Sequence, residues 1–236
     1  DSVMLVALDR VHQKIKLISL ARDSYVFIPE FASFSKLAYS YTWGGAAMAV
    51  KNLNYNYYLN VSDYIAVDFD QLAEIIDRIG GVTVNIDEDE ARYLSNYPNV
   101  HVGDCLLDGE TAVSYARIRK SSATDSDRKR TGRQREVILS ILNTLQTMPL
   151  SQYPGFVRDC LGMCATSFEA ETLLTMAAET LGQNYTVEQY FFPEGQVDWW
   201  AGLIKEYFYY VYDLRRASDR IYRIIYEELY ISGYDD

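Results

Sequence analysis

Residues 3–20 read VMLVALDRVHQKIKLISL and contain two strand-like runs joined by a short polar segment. Val3 to Leu8 is a continuous apolar run, which is the pattern of a buried strand. Asp9 to Gln13 reads as a turn, and Lys14 to Leu20 has the pattern of a hairpin partner. The sequence therefore predicts that this part of the chain forms a β-hairpin with a buried first strand.

Strands and helices alternate outward from this hairpin. In the first half, the expected elements are a helix from Ala46 to about Tyr57 after Gly44-Gly45, a strand-like segment Asp63 to Phe69, a helix Gln71 to Ile79 with Asp70 as N-cap and Gly80-Gly81 at its end, and a strand Val82 to Ile86. In the second half, they are helices from about Arg128 to Met148, Phe168 to Leu181 and Leu214 to Leu229, and strands Tyr185 to Phe192 and Tyr207 to Tyr212. This order predicts a layered α/β domain, and the absence of repeats and linkers favours a single domain.

The composition excludes several functional classes. Hydrophobic residues make up 49% of the 236 residues, as expected for a folded chain. A net charge of −11 argues against a general nucleic-acid binder. The longest apolar run, Val3 to Leu8, is too short to cross a bilayer. This leaves open a cytosolic protein or one whose anchor lies upstream.

The three cysteines and two histidines indicate no metal site or catalytic triad. Cys160 and Cys164 are spaced as neighbours on one helix face, and Cys105 is separate. A disulfide and free thiols are both compatible with this spacing.

Positive charge is concentrated in one part of the chain. Eight of the 22 Lys and Arg residues lie between Arg117 and Arg135, opposed only by Asp125 and Asp127. Such a patch on an acidic protein indicates either a discrete anionic ligand or a solvated charged loop. If Arg117-Ile118-Arg119 is extended, both guanidinium groups point one way and Ile118 enters the core. Since arginine binds phosphate oxygens in a fork, this pattern favours the ligand.

A second group of charged residues opens the long helix expected after Arg128. Its apolar stripe is Val137, Ile138, Ile141, Leu145 and Met148. Extended backwards, the stripe places Asp127, Arg130 and Gln134 on the inward face, with Arg133 beside it and Arg128 and Arg135 toward solvent. Buried charges either line a binding site or pair with each other. The first case is an anion site at the helix N-terminus, and the second is a capping Asp127 that forms an internal Asp–Arg bridge.

These segments together resemble the motifs of the LytR-CpsA-Psr family of phosphotransferases. The resemblance covers roughly residues 1–148 in order and spacing and is weaker beyond. The matching motifs are Asp1-Ser2-Val3-Met4, Ser19-Leu20-Ala21-Arg22-Asp23, Lys36-Leu37-Ala38-Tyr39-Ser40-Tyr41, Gly44-Gly45, Asp63-Tyr64, Val67-Asp68-Phe69, Ile79-Gly80-Gly81-Val82-Thr83-Val84, Leu107-Asp108-Gly109-Glu110-Thr111-Ala112, Tyr115-Ala116-Arg117-Ile118-Arg119 and Asp127-x-x-Arg130-x-x-Arg133-Gln134.

The resemblance implies a three-layer α/β/α single domain over residues 1–236, with a mixed central sheet and an apolar lipid tunnel between sheet and helices. Ile138, Ile141 and Leu145 are the expected tunnel residues. The resemblance places the pyrophosphate at the tunnel mouth. The residues expected to bind it are Arg22, Lys36, Arg117, Arg119, Arg130, Arg133 and Gln134. The expected catalytic residues are Arg22, Arg117, Arg119, Arg130 and Asp127. Asp127 is the candidate base for the proton of the acceptor hydroxyl, and Asp23 is a weaker candidate with an orienting role.

The resemblance also implies a magnesium ion and a membrane. Mg²⁺ is expected between the pyrophosphate and aspartates, one of which matches Asp1. The family's preceding strand, its Gly-x-Asp motif with a further carboxylate and its single N-terminal membrane anchor are expected upstream of residue 1. The domain is therefore expected on the extracytoplasmic face of a bacterial cell membrane.

The expected reaction is a phosphoryl-group transfer from a polyprenyl-pyrophosphate-linked glycan to peptidoglycan. An acceptor hydroxyl attacks the phosphorus nearest the glycan, and polyprenyl phosphate leaves. The glycopolymer is a teichoic acid, a capsule or another wall polysaccharide. Two alternatives stay open. One is a lipid pyrophosphatase that uses water as acceptor, and the other is a non-enzymatic domain that binds the lipid carrier or has a regulatory role.

Overall fold

A computed structural model describes residues 2–119, 123–180, 185–194 and 197–226, with the backbone alone for 123–127. The strands are β1 Val3–Asp9, β2 Lys14–Leu20, β3 Tyr25–Ile28, β4 Ser33–Lys36, β5 Ile65–Ala66, β6 Val82–Ile86, β7 Gly103–Leu107, β8 Ala165–Thr166, β9 Thr186–Phe192, β10 Trp199–Ile204 and β11 Tyr207–Tyr212. The helices are α1 Tyr39–Tyr57, α2 Phe69–Arg78, α3 Glu88–Tyr93, α4 Gly109–Arg117, α5 Ala123–Thr147, α6 Tyr153–Met163, α7 Ala170–Thr180 and α8 Leu214–Tyr226. These elements form two compact units, the first from Asp1–Ser62 and Tyr185–Asp236 and the second from Asp63–Asn184.

The first unit is built on the predicted hairpin, but the prediction that its first strand is buried was wrong. Only Leu5 of β1 is buried and Val6 is 64% exposed, because β1 is an edge strand of the sheet. β1 and β2 pair antiparallel, with Val3 opposite Leu20 and Asp9 opposite Lys14. β9 pairs parallel with the other edge of β2, so the three strands form a mixed sheet. Every residue of β2 after Lys14 is buried, because a central strand of a covered sheet has no solvent face. The α/β class and the mixed sheet are therefore confirmed.

Lys16 on β2 is a charged residue inside this sheet. Its side chain is only 1% exposed. Its Nζ lies 3.4 Å from Asp9 Oδ2 and donates to the carbonyl of Ile225 at 3.3 Å. Asp9 also accepts from the backbone and ring nitrogens of His12 at 3.0 and 2.9 Å. The predicted turn after β1 is therefore held by one carboxylate that also compensates a buried ammonium.

This arrangement predicts a pH dependence of stability. Burial alone would raise the pKa of the Asp9 carboxyl, but the hydrogen bonds from His12 and Lys16 lower that pKa to about 2. Because the pKa is lower in the folded chain than its unfolded value of about 3.9, the stabilisation is complete above pH 4 and disappears as the pH falls toward 2. We expect Asp9→Asn to lower the urea midpoint clearly at pH 5 and progressively less toward pH 2. A gap that is independent of pH between 5 and 2 would contradict this role of Asp9.

Helix α1 begins earlier than predicted. It starts at Tyr39, and Gly44 and Gly45 interrupt it rather than precede it. Gly45 has φ 64° and ψ −160°, a conformation that is open to glycine and costly for other residues. The glycine pair therefore marks a kink, and the predicted helix from Ala46 to Tyr57 is the part that follows it.

The second unit has its own apolar core beneath β6 and β7. The core contains Ile76, Val82, Leu107, Tyr115 and Ile118, all of them buried. The two strands pair antiparallel, and the Thr83 N–H of β6 donates to Ser140 Oγ of α5 at 2.8 Å. Between α2 and α4 the backbones approach closely, since a Cβ at Gly109 would lie 2.1 Å from the carbonyl oxygen of Ala73.

Three predicted boundaries in the second unit were wrong. Asp68, and not Asp70, is the N-cap of α2, because its Oδ1 accepts from the Gln71 N–H while Gln71 Oε1 accepts from the Asp68 N–H, each at 2.8 Å. This reciprocal pair is a capping box. The strand expected over Asp63 to Phe69 is reduced to Ile65–Ala66. Helix α5 begins at Ala123 rather than near Arg128.

None of the helices in the described parts of the chain combines the length and the apolar character that a bilayer crossing requires. The single catalytic domain over residues 1–236 and the lipid tunnel stay predictions.

Candidate functional site

The segment Arg117-Ile118-Arg119 lies at the end of helix α4. Arg117 is the last helical residue, and Ile118 follows with φ −54° and ψ 128° while its N–H bonds to the carbonyl of Tyr115. The extended arrangement considered for these three residues therefore applies only after Arg117, because helix α4 continues up to that residue. The predicted exposure pattern holds nevertheless, with Ile118 fully buried and Arg117 and Arg119 exposed. The buried isoleucine anchors two outward arginines.

Arg133 of α5 fixes the backbone between these arginines. Its Nη1 donates to the Ile118 carbonyl at 3.3 Å, and its Nε donates to Glu90 Oε1 at 2.6 Å. The guanidinium also lies 5.9 Å from the centroid of the Tyr115 ring. Arg133 is only 4% exposed, so its buried charge is compensated by Glu90. Arg133 thus has a positioning role, and its direct contact with pyrophosphate stays a prediction.

Glu90 connects this ion pair to the start of helix α3. Its backbone N–H donates to Asp87 Oδ1 at 2.7 Å, and its Oε2 accepts from the Asp87 N–H at 2.9 Å. The Asp87-x-x-Glu90 spacing of a capping box is visible in the sequence. The other carboxylate oxygen of Glu90 accepts from Arg133, 43 positions away. This long-range contact leaves no local pattern, so Glu90 was not among the predicted site residues.

A second carboxylate contact lies beside the pair. The Tyr115 hydroxyl donates to the Glu136 carboxylate of α5. Burial and this hydrogen bond raise the pKa of Tyr115 well above its ordinary value, so the hydroxyl stays protonated and keeps donating. The end of helix α4 is therefore joined to α5 by polar contacts at Tyr115 and at the Ile118 carbonyl.

Arg117 lines an open cleft of about 590 Å³ together with residues of α2 and α4. Its guanidinium lies over the ring of Phe69 at 4.7 Å from the centroid, a contact that orients it. The remaining charged groups of the cleft are acidic. They are Asp70, Glu74, Asp77 and Glu110. The cleft is therefore no anion pocket, and the carboxylates oppose the charge of Arg117.

The N-terminal half of α5 presents the predicted inward face. Arg130 is buried and Gln134 is half-buried, in line with the buried Val137. Arg133 is buried rather than placed beside the face, and Arg135 is half-buried rather than directed to solvent. Arg128 is exposed, as predicted. Asp127 lies on α5, but its side chain is outside the described part of the structure.

Two predicted phosphate-binding residues lie together in the first unit. Lys36 Nζ is 2.8 Å from Asp23 Oδ1, and Arg22 Nε is 3.6 Å from the same oxygen. The backbone brings them together, because the Ala38 N–H donates to the Arg22 carbonyl at 3.0 Å and the Tyr210 N–H donates to the Asp23 carbonyl at 3.0 Å. All three side chains are partly exposed. Asp23 thus lies between two cations, and its orienting role in the reaction stays a prediction.

The expected tunnel residues lie along α5. Ile141 is buried in the core of the second unit, and Ile138 and Leu145 are half-buried against the same core. Their lining of a lipid tunnel stays a prediction.

The expected metal ligand Asp1 lies outside the described residues. Within the described ranges, no three His, Cys, Asp or Glu side chains come together as a metal site. Mg²⁺ commonly needs only one or two protein carboxylates when phosphate oxygens complete its shell. The Asp1 carboxylate fits that requirement in kind.

All three cysteines are free thiols in the structure, which answers the question that their spacing left open. Burial and the neighbouring Cys164 raise the pKa of the Cys160 thiol to about 11. A thiol with this pKa is a poor nucleophile near neutral pH. The cysteines have no role in the site described above.

Comparison with known proteins supplies relatives over much of the chain. The polyisoprenyl-teichoic acid–peptidoglycan teichoic acid transferase TagU of Enterococcus faecalis is 29% identical over 148 residues, 63% of this chain and 48% of TagU. The regulatory protein MsrR of Staphylococcus aureus strain COL is 29% identical over 164 residues, 67% of this chain and 49% of MsrR. The chain thus spans about half the length of these curated relatives.

The fold is shared with a solved structure. The crystal structure of Bacillus subtilis TagT superimposes with a TM-score of 0.78 at 19% sequence identity, covering 97% of this chain and 85% of TagT. The model of the LytR_cpsA_psr family matches residues 1–222, nearly the whole sequence. The match includes Arg22 of the first unit and Arg117-Ile118-Arg119 of the second. The chain therefore belongs to the LytR-CpsA-Psr family.

Proposed function

We propose that the chain is a Mg²⁺-dependent phosphotransferase that moves a glycopolymer from a polyprenyl-pyrophosphate carrier to peptidoglycan. Relatives named as teichoic acid transferases support a transferase of this kind. The observation that carries the proposal is the arginine pair Arg117 and Arg119, held outward on either side of the buried Ile118. Two exposed arginines separated by a single residue offer a cationic surface that suits an anion, although the carboxylates of the adjoining cleft offset part of the charge of Arg117.

The arginines bind and stabilise the pyrophosphate in this proposal. Arg117 and Arg119 contact the non-bridging oxygens, and Arg22 and Lys36 contribute further charge, oriented by Asp23. The acceptor hydroxyl forms a bond to the phosphorus nearest the glycan, and the bond from that phosphorus to the bridging oxygen breaks. Polyprenyl phosphate leaves with the electron pair. Preorganised cations lower the cost of the charge that develops on these oxygens.

The proton of the acceptor hydroxyl goes to a carboxylate, because arginine does not act as a base near neutral pH. Asp127 on α5 is the proposed base. Arg130 and Gln134 of the same helix complete the phosphate contacts. A Mg²⁺ ion held by Asp1 and phosphate oxygens supplies further charge stabilisation when it is bound.

The proposed setting is the extracytoplasmic face of a bacterial membrane, with an anchor upstream of residue 1. The proposed glycopolymer is a teichoic acid, following the names of the relatives. A capsule or another wall polysaccharide uses the same phosphate chemistry.

The test is release of polyprenyl phosphate from a polyprenyl-pyrophosphoryl disaccharide in the presence of Mg²⁺. We expect release to require a peptidoglycan fragment and to join the disaccharide to it. Release of polyprenyl phosphate without any peptidoglycan fragment, with water as the acceptor, would identify a pyrophosphatase instead. The Arg117→Ala/Arg119→Ala variant is the control for release by contaminants, since a contaminant is unaffected by it.

A second candidate is a regulatory or carrier-binding domain without turnover. The relative named regulatory protein MsrR favours it. The arginines alone suffice for binding, so this candidate predicts tight binding of the pyrophosphate with no release under any of these conditions.

A further inference from the structure

The hairpin of β3 and β4 carries aromatic side chains on the face opposite the core of the first unit. Val26 and Ile28 are fully buried on the inner face. The register places Tyr25 opposite Lys36 and Phe27 opposite Phe34. Because side chains alternate along a strand, these four residues share the outer face. Burial of the inner face serves the core, so the aromatic outer face calls for another explanation.

The outer rings belong to a continuous series, the aromatic band, which consists of Tyr209, Tyr25, Phe34, Phe27 and Tyr55. Tyr209 at one end is buried, Tyr25 and Phe27 are half-buried, and the surface of the band becomes most accessible at Phe34 and Tyr55. Neighbouring ring centroids are 4.9, 5.0, 5.3 and 5.8 Å apart in that order. Phe34 and Tyr55 nevertheless remain 53% and 55% exposed. Contiguous apolar patches that stay exposed on a folded protein mark interaction sites. Cross-strand packing stabilises a hairpin, but Tyr55 belongs to α1 and lies outside that pairing.

The band begins beside the predicted phosphate-binding side chains of the same unit. Lys36 Nζ lies 5.8 Å from the centroid of Tyr209 and 2.8 Å from Asp23. Asp23 in turn lies 3.6 Å from Arg22. A molecule whose phosphate is held by Lys36 and Arg22 therefore has the aromatic band next to that phosphate.

We infer that the aromatic band binds the saccharide of the pyrophosphate-linked substrate, an inference that rests on the proposed function. The C–H faces of pyranose rings are apolar and stack on aromatic rings, while their hydroxyls bond to tyrosine hydroxyls at the ring edges. Tyr25 and Tyr55 supply such hydroxyls. A four-residue strand is about 13 Å long, which gives room for two or three sugar rings along the hairpin.

The chemistry of the band favours a saccharide over a hydrocarbon or a bilayer. An open face leaves one side of a polyprenyl chain in water, which forfeits much of the hydrophobic gain. The net charge of −11 repels the anionic surface of a membrane. Sugar rings, which are amphipathic themselves, match a surface that combines phenyl rings with phenol hydroxyls.

The test compares three probes that share the lipid and the pyrophosphate and differ in the sugar. Farnesyl pyrophosphate carries no sugar, and its derivatives carry either a di-N-acetylchitobiosyl or a maltosyl group on the terminal phosphate. Dissociation constants are measured by calorimetry for the wild-type chain, for Phe34→Ala/Tyr55→Ala and for Tyr93→Ala. Tyr93 is a matched control, because it is 60% exposed and belongs to the second unit. Both band residues are exposed, so thermal melting is expected to change little.

We expect at least one sugar-bearing probe to bind wild type tenfold or more tightly than farnesyl pyrophosphate. The Phe34→Ala/Tyr55→Ala variant should lose that gain while keeping its affinity for farnesyl pyrophosphate, and Phe34→Trp/Tyr55→Trp should retain it. Equal binding of all probes by wild type, or an unchanged gain in the alanine variant, would overturn the saccharide site and leave the proposed function intact. Failure of wild type to bind any probe would remove both. If Phe34→Ala/Tyr55→Ala instead loses binding to phosphatidylglycerol vesicles while its affinity for the sugar-bearing probes is unchanged, the saccharide site is overturned and the band is a membrane contact.

Discussion

Replacing both Arg117 and Arg119 with alanine is expected to weaken the binding of farnesyl pyrophosphate by between about 100-fold and 10,000-fold. Each charge-assisted hydrogen bond contributes about 1.5–3 kcal/mol, and every 1.4 kcal/mol is about a tenfold change in affinity. Both side chains are exposed and the core contact is made by Ile118, so the folded state should be preserved. Calorimetric titration of the two proteins measures the effect.

The matched control for this pair is Arg92→Ala. Arg92 is an exposed arginine of the second unit that pairs with Asp89 three residues earlier. Its removal changes the net charge without touching the arginine segment, so the affinity should stay within about threefold of wild type. A folded Arg117→Ala/Arg119→Ala protein with wild-type affinity would exclude these residues from the site.

Replacing Glu90 with alanine is expected to lower the free energy of unfolding by about 3–5 kcal/mol, because it leaves the Arg133 guanidinium buried without its counter-charge. Arg133 and Glu90 are both buried, and their contact is 2.6 Å. The change also removes the side-chain half of the α3 capping box, which contributes about 1 kcal/mol. Urea unfolding followed by circular dichroism measures the sum.

Three further variants separate the contribution of the buried charge from that of the cap. Glu90→Gln keeps an acceptor for the Asp87 N–H but removes the negative charge. Its free energy of unfolding should therefore fall by most of the amount expected for Glu90→Ala. Asp89→Ala breaks the exposed pair with Arg92 and should cost under about 1 kcal/mol. Glu90→Leu/Arg133→Met replaces both charges and should recover much of the stability. Equal effects of Glu90→Ala and Asp89→Ala would contradict a role for burial.

The parts of the fold that were predictable are those that depend on local periodicity. The strand over Val3 to Leu8 and the stripe along α5 each follow from the spacing of side chains in one element. The predicted burial of that strand did not hold, because an apolar run does not show which strand becomes the edge of the sheet. The capping residue of α2 was misplaced because Asp68 and Asp70 both have cap chemistry, and only the reciprocal bond with Gln71 distinguishes them.

The site was predictable in its residue types and less so in its contacts. A buried Ile118 between exposed arginines is compatible with a strand and with the end of a helix, so the exposure pattern did not decide the backbone. The partner of Arg133 lies 43 positions away. No periodicity reports contacts over such a distance, because they arise from tertiary packing.

The pairing of β2 with β9 sets an order for the completion of the chain during synthesis. One edge of β2 is covered by β1 as soon as residues 3–20 have left the ribosome, but the other edge waits for Thr186–Phe192. The second unit is continuous in sequence and has all of its residues available earlier. The growing chain therefore carries an open apolar strand edge until residues 186–192 are made, and such an edge can recruit strands of other chains. A nascent chain that stops before residue 186 leaves this edge of β2 without its partner strand.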